Sequence, residues 1–174
     1  MNLRNANGLL LVSWIIFFLA SFVVPNAPFD YPLLSSFVSM VGSVVPAITQ
    51  LRTVSPIADV AQTYWAVLVV VSLALLPLYF RMSDEQVRPL HLARRAPGVF
   101  RIAIVVPICL LIYAIFLPFI GQIGRVMLGS RLGLGVIGGL VLAGIPFMIR
   151  ASVTWWRYQS ALERTETRDG QSHV

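Results

Sequence analysis

Residues 60–80 read VAQTYWAVLVVVSLALLPLYF, and Arg81 closes the run. A helix crossing about 30 Å of hydrocarbon needs roughly 20 apolar residues, because in lipid only a helix or a closed barrel satisfies its own backbone. This stretch carries no charged residue, and its polar members are Gln62, Thr63, Tyr64 and Ser72. The first three sit at one end, where Tyr64 and Trp65 are expected to anchor the helix as an interfacial aromatic belt. The stretch is therefore expected to cross a membrane.

Three further segments read the same way. Residues 8–24, GLLLVSWIIFFLASFVV, stop at Pro25. Residues 102–120 carry Pro107 and Pro118, which should bend or loosen a helix. Residues 132–149 are glycine-rich and end at Arg150 and the Trp155–Trp156 pair. The first segment is expected to be retained rather than cleaved as a signal peptide, because no small-residue cleavage site follows its apolar run. Composition agrees. The 174 residues are 57% hydrophobic and only 11% charged, against about 25% charged in a soluble domain.

All 13 basic residues are arginine, which suggests codon usage rather than chemistry. The net charge of +6 does not point to nucleic acid, since the arginines flank apolar segments instead of forming a stripe. Their positions set the expected topology. With the N-terminus inside, Arg4, Arg81, Arg88, Arg94, Arg95, Arg101, Arg150, Arg157, Arg164 and Arg168 are cytoplasmic. Arg52, Arg125 and Arg131 face the other side. The expectation is an all-α, polytopic protein of a bacterial inner membrane. It forms a single membrane domain over residues 1–174, with four transmembrane helices as two hairpins, both termini cytoplasmic and a cytoplasmic tail over 150–174.

The loop over residues 25–59 is long. Pro25, Pro28 and Pro32 favour extended structure at its start. Residues 33–45, LLSSFVSMVGSVV, then place apolar side chains around much of a helix and Ser35, Ser36, Ser39 and Ser43 on the remainder. Thirteen residues are too few to span, so a short interfacial helix is expected, lying at the outer surface or packed over the bundle. It serves either as a cap or as a partner-binding surface.

In the fourth segment Gly135, Gly139 and Ala143 recur every four residues, a spacing that lets another backbone approach closely in lipid. Packing within the chain is the expected use, and a homo-oligomer joined at this seam is the alternative.

No carboxylate falls in the middle of a span: Asp30 and Asp59 lie outside, and Asp84, Glu85, Glu163, Glu166 and Asp169 lie inside. His91 and His173 are in cytoplasmic segments, which removes haem ligation between spans. His91, beside Arg94 and Arg95, belongs to a solvated basic loop against anionic lipid. Cys109 is the only cysteine, so no internal disulfide forms. There is no phosphate-binding glycine loop, metal-ligand cluster or nucleophile beside a base. Neither an enzyme nor a cofactor is expected. An ion-coupled transporter would want inverted repeats and midplane polar groups.

The approach to the second span carries Pro46, Ile48 and Thr49, then Pro56, Val60 and Tyr64. This pattern resembles the immunity proteins that protect bacteria from pore-forming colicins of the colicin A type. Those are similar in length, with four spans and both termini cytoplasmic. The detailed likeness covers about twenty residues and the layout covers the whole chain. The absent lysines, the arginine-dense central loop and the glycine-rich fourth span depart from the family pattern. The resemblance implies bacteriocin immunity, in which a pore-forming toxin's apolar helical hairpin is met in the inner membrane and pore opening is blocked. It also implies partner-binding residues: Arg125 and Arg131 in the external loop between the third and fourth spans, then Thr49 and Tyr64. The competing expectation is a small structural subunit of an inner-membrane secretion or conjugation assembly, and a third is a holin-like or small transport protein. Membrane lipid is a partner in each case.

Overall fold

The computed structural model describes residues 6–83, 87, 105, 108, 109, 111–116 and 128–171, without the side chains of residues 155 and 158–171. Among the described residues every regular element is helical. Helix α1, Ala6–Val23, turns Ser13, Phe17 and Ser21 inward and leaves Leu11, Ile16, Leu19, Phe22 and Val23 exposed. Two serines inside and a row of large apolar groups outside run against the pattern of a water-soluble helix, and suit a helix surrounded by lipid.

The prolines after α1 do not hold the chain extended, as their clustering suggests. Pro28 opens a 3-10 turn, Pro28–Asp30, and Pro32 opens α2, Pro32–Val44. At the first helical position a missing N–H costs nothing, and the fixed φ is already helical. Pro46 does the same for α3, Pro46–Val54, a helix not foreseen from the apolar pattern. The axes of α2 and α3 differ by 110°. Gly42 sits inside this bend, where a Cβ would touch the Ile48 side chain at 3.4 Å.

Helix α4, Ala58–Phe80, is the centre of the protein. Its first half is buried on nearly all sides, Val60 to Ala66 and Leu68 included, whereas Val70, Val71, Leu73 and Leu78 in its second half are exposed. An α-turn, Arg131–Gly133, and a π-turn, Leu134–Gly138, lead without a break into α5, Gly139–Gln171. The segment read as a tail from residue 150 onward is thus helical through Gln171.

Three helical stretches are long and apolar enough to cross a membrane: Ala6–Val23, Ala58–Phe80 and Arg131–Thr154. The bent pair α2–α3 makes a fourth if it is taken as one broken span. Most of the expected 102–120 span lies outside the described residues. Those of its members that are described, residues 105, 108, 109 and 111–116, are helical, with Ala114 buried and Val105, Ile108, Ile112 and Phe116 exposed.

The two ends of the bundle are fixed by contacts. At one end Ala6, Tyr79, Val87 and Ala151 pack together. At the other, Arg131 bonds to the end of α1, and Ser55 Oγ donates to the Leu128 carbonyl at 2.7 Å. Arg150 lies at the first end and Arg131 at the second. At 1.5 Å per helical residue they are roughly 28 Å apart, close to the ~30 Å thickness of a bilayer core.

Candidate functional site

The residues carrying the resemblance form one packed corner at the Arg131 end. Pro46 opens α3, and Ile48 and Leu51 are buried beneath it. The Ile48 carbonyl accepts from Gln62 Nε2 at 2.8 Å, which pins α3 to the first turns of α4. Val60 and Tyr64 lie in the core below. Thr49 is exposed, as are Gln50, Arg52 and Thr53. The Thr49 and Thr53 hydroxyls donate to carbonyls three residues back, Pro46 O at 2.8 Å and Gln50 O at 2.9 Å, so both are held close to their own helix. Together these side chains form a polar edge on a helix fixed from below.

Tyr64 and Trp65 do not form a surface belt. Tyr64 is 1% exposed and Trp65 is fully buried. The helices closing around the first half of α4 enclose both rings, and their polar tips reach inward instead of outward. Tyr64 donates its hydroxyl proton to Phe17 O at 3.1 Å, and Trp65 Nε1–H donates to Ala114 O at 2.9 Å. Tyr64 is therefore a core residue and presents no contact surface.

The Trp65 contact has a chemical reason. In an α-helix the carbonyl of residue 114 would accept from the N–H of residue 118, and residue 118 is a proline. The same arrangement recurs twice. Ser72 Oγ donates to Leu142 O, whose helical donor would be residue 146, the proline inside α5. Arg131 Nη1 donates to Ser21 O at 2.7 Å, whose donor would be Pro25. An unpaired carbonyl in lipid is costly. At each of these sites a side chain from elsewhere in the fold supplies the missing hydrogen.

Arg131 also donates from Nη2 to Asn26 Oδ1 at 2.7 Å. It thus caps the C-terminal end of α1, where backbone carbonyls and the helix dipole favour a cation. Arg150 plays the matching part at the other end. It is 3% exposed, with Nε on Tyr79 O at 3.2 Å and Nη2 on Met82 O at 2.8 Å, closing α4. Nη1 donates to Thr154 Oγ1, and the guanidinium lies 5.9 Å from the centre of the Phe80 ring. As a basic residue at the end of an apolar run Arg150 reads as a topology signal, and nothing local in the sequence announces its burial. Arg125 lies outside the described residues.

Gly135, Gly139 and Ala143 face the chain's own helices. A Cβ on Gly135 would stand 2.7 Å from Ser21 Oγ and 3.0 Å from the Phe18 carbonyl of α1. One on Gly139 would stand 3.2 Å from Tyr64 Oη and 3.4 Å from Phe17 Cβ. Gly138, which falls outside the four-residue spacing, is as tight, with the Trp65 ring at 3.0 Å. Ala143 is fully buried. This seam has no room for a second copy. The π-turn that carries it also presents the Val136 carbonyl, which accepts from Trp14 Nε1 at 3.2 Å.

Among the described residues no group of three or more His, Cys, Asp or Glu stands close enough to hold a metal ion. Comparison with protein-family models, with curated proteins and with solved structures finds no match.

Proposed function

We propose that this chain is a four-span protein of a bacterial inner membrane, with both termini cytoplasmic, that protects its cell by binding a pore-forming bacteriocin within the bilayer. The observation that carries the proposal is the α3–α4 corner. Pro46 opens α3; Ile48, Val60 and Tyr64 are buried in the corner, and Thr49, Gln50 and Arg52 are its exposed edge. A toxin arriving from outside meets this edge first, and the exposed faces of α1 and of the second half of α4 are available to an apolar hairpin deeper in the bilayer. Binding of this kind needs no catalytic group, cofactor or metal. The four-span topology draws support from the two ends of the bundle. Val87 lies at the Arg150 end and Leu128 at the Arg131 end, with Ala114 bonded to Trp65 between them. A further crossing between residues 87 and 128 accounts for all three. The arginine distribution orients the Arg150 end inward.

The test is survival of producing cells across a panel of pore-forming toxins, with membrane potential followed by a dye. Protection from one narrow class is expected, and it should persist when the toxin reaches the inner membrane by osmotic bypass. Uniform killing would end the immunity proposal. A second proposal, a structural subunit of an envelope assembly, draws on α5. This helix continues for some 30 Å beyond Arg150 at 1.5 Å per residue, in a polar sequence suited to a partner outside the membrane. Co-purification with a multi-subunit complex, together with failure of protection, would favour it.

A further inference from the structure

Around the axis of α2 three kinds of surface alternate. Val38, Val41 and Gly42 are buried against the bundle. Ser36, Ser39 and Ser43 form a second, exposed sector. Leu33, Met40 and Val44 form a third, and at 87%, 64% and 76% exposure they are among the most open apolar side chains described. The seven- and four-residue spacings of this last set place all three on one line along the helix.

The depth of this stripe follows from the contacts beneath it. Ile48 is bonded to Gln62, a turn inside α4, which at 1.5 Å per residue is roughly 6 Å in from Ala58. Helix α3 then returns to Ser55, which bonds to Leu128 at the Arg131 end. The bend at Val45–Pro46 is therefore the inward apex of a V, α2 descending to it and α3 climbing back. Val44 stands beside that apex, alongside the part of α4 that is buried on nearly all sides. Val44, at the apex, is thus level with the first turns of a spanning helix and has its side chain exposed there, with Met40 and Leu33 following on the same line toward the Arg131 end.

We propose that α2–α3 is a re-entrant wedge seated in the leaflet at the Arg131 end, with lipid acyl chains against Leu33, Met40 and Val44. The wedge rests on the reading of α1 and α4 as spans. Helix α2, PLLSSFVSMVGSV, carries no charge. Its attachment then comes from buried apolar area alone, without the attraction of basic segments to anionic headgroups. The serine sector borders the headgroups and water.

The experiment uses the full chain with Cys109→Ser, reconstituted in bilayers with and without anionic lipid. Single spin labels are placed through Ile16→Cys, Ser36→Cys, Met40→Cys and Val44→Cys. Collisions with oxygen, which concentrates in lipid, are compared with collisions with a water-soluble nickel chelate. Labels at 16, 40 and 44 should favour oxygen, 44 more strongly than 40, and the label at 36 should favour nickel. Anionic lipid should change none of these. A label at 16 in lipid with those at 40 and 44 in water would overturn the wedge. Exclusion of both reagents at 40 and 44 would overturn it in favour of a protein, such as a second copy, covering the stripe. A label at 16 that favours nickel would instead sink the span assignment.

Discussion

Ser72→Ala removes one hydroxyl from a side chain that is 2% exposed and leaves the Leu142 carbonyl without its donor. Leu142 lacks a helical partner only because residue 146 is proline. The cost should be about 1–2 kcal/mol, the price of an unpaired buried carbonyl, near the upper end for interhelical hydrogen bonds measured in membranes. Pro146→Ala returns an N–H four residues on from Leu142, so the hydroxyl becomes redundant. In that background Ser72→Ala should cost less than about 0.5 kcal/mol, a coupling near 1 kcal/mol or roughly fivefold in the unfolding constant. Pro146 is itself buried, so Pro146→Ala carries its own packing loss, which the cycle subtracts. The assay is reversible unfolding of the four proteins in mixed micelles, or steric trapping in bicelles. Equal cost of Ser72→Ala in both backgrounds would refute the proline-freed carbonyl as the reason for this contact.

Gly135→Ala should destabilise by about 1–3 kcal/mol, the range for overpacking, because its Cβ meets the Phe18 carbonyl as well as a movable serine. Gly139→Ile should lower membrane abundance, whereas Val136→Ile, at a position 36% exposed, should not; immunoblots of membrane fractions decide this. Arg150→Lys keeps the charge but loses the fork that reaches Tyr79 O and Met82 O together, and thermal unfolding in detergent should fall toward that of Arg150→Ala. Thr63→Val should leave stability unchanged or raise it, since Thr63 Oγ1 is buried with no partner among the described residues; a loss above about 1 kcal/mol would expose a missed partner. Reporter fusions within residues 83–97 and after Glu163 should read cytoplasmic and one near residue 50 periplasmic; a cytoplasmic signal at residue 50 overturns the orientation.

What could be read from residues alone was whatever depends on long, uniform pattern. Apolar runs located α1 and α4 to within two residues at each end, and the fourth run marked the stretch that begins at Arg131. The small-residue spacing located the seam at Gly135 and Gly139, though not Gly138, whose ring contacts depend on how far α4 rotates. The short helices were half legible. The pattern of residues 33–45 found α2, but α3 has only nine residues and little periodicity to show. Tyr64 and Trp65 were misplaced because position along a span suggests an interface only when the helix end stands in lipid. Here α2 and α3 wrap that end, and the wrapping is a tertiary fact. Arg131 and Arg150 look alike as charges beside apolar runs, and only the meeting of distant helix ends shows that each closes another helix.

Three polar side chains of α4 share one use. Tyr64, Trp65 and Ser72 all lie on α4, and all donate to backbone carbonyls of other segments. One of those carbonyls, Leu142 O, faces the proline inside α5, and another, Ala114 O, stands four residues before Pro118 in the sequence. Each such segment is poorly satisfied alone in lipid and better satisfied once packed on α4, so these contacts fix which faces meet and at what register. Polar groups committed in this way are not available to guide a solute across the bundle, which weighs against a transport role for these positions. Under the proposed function, recognition falls to outward surfaces: the edge at Thr49, Gln50 and Arg52, and the apolar faces of α1, α2 and α4. Under the proposed immunity function, specificity should change with substitutions on those surfaces while the fold does not.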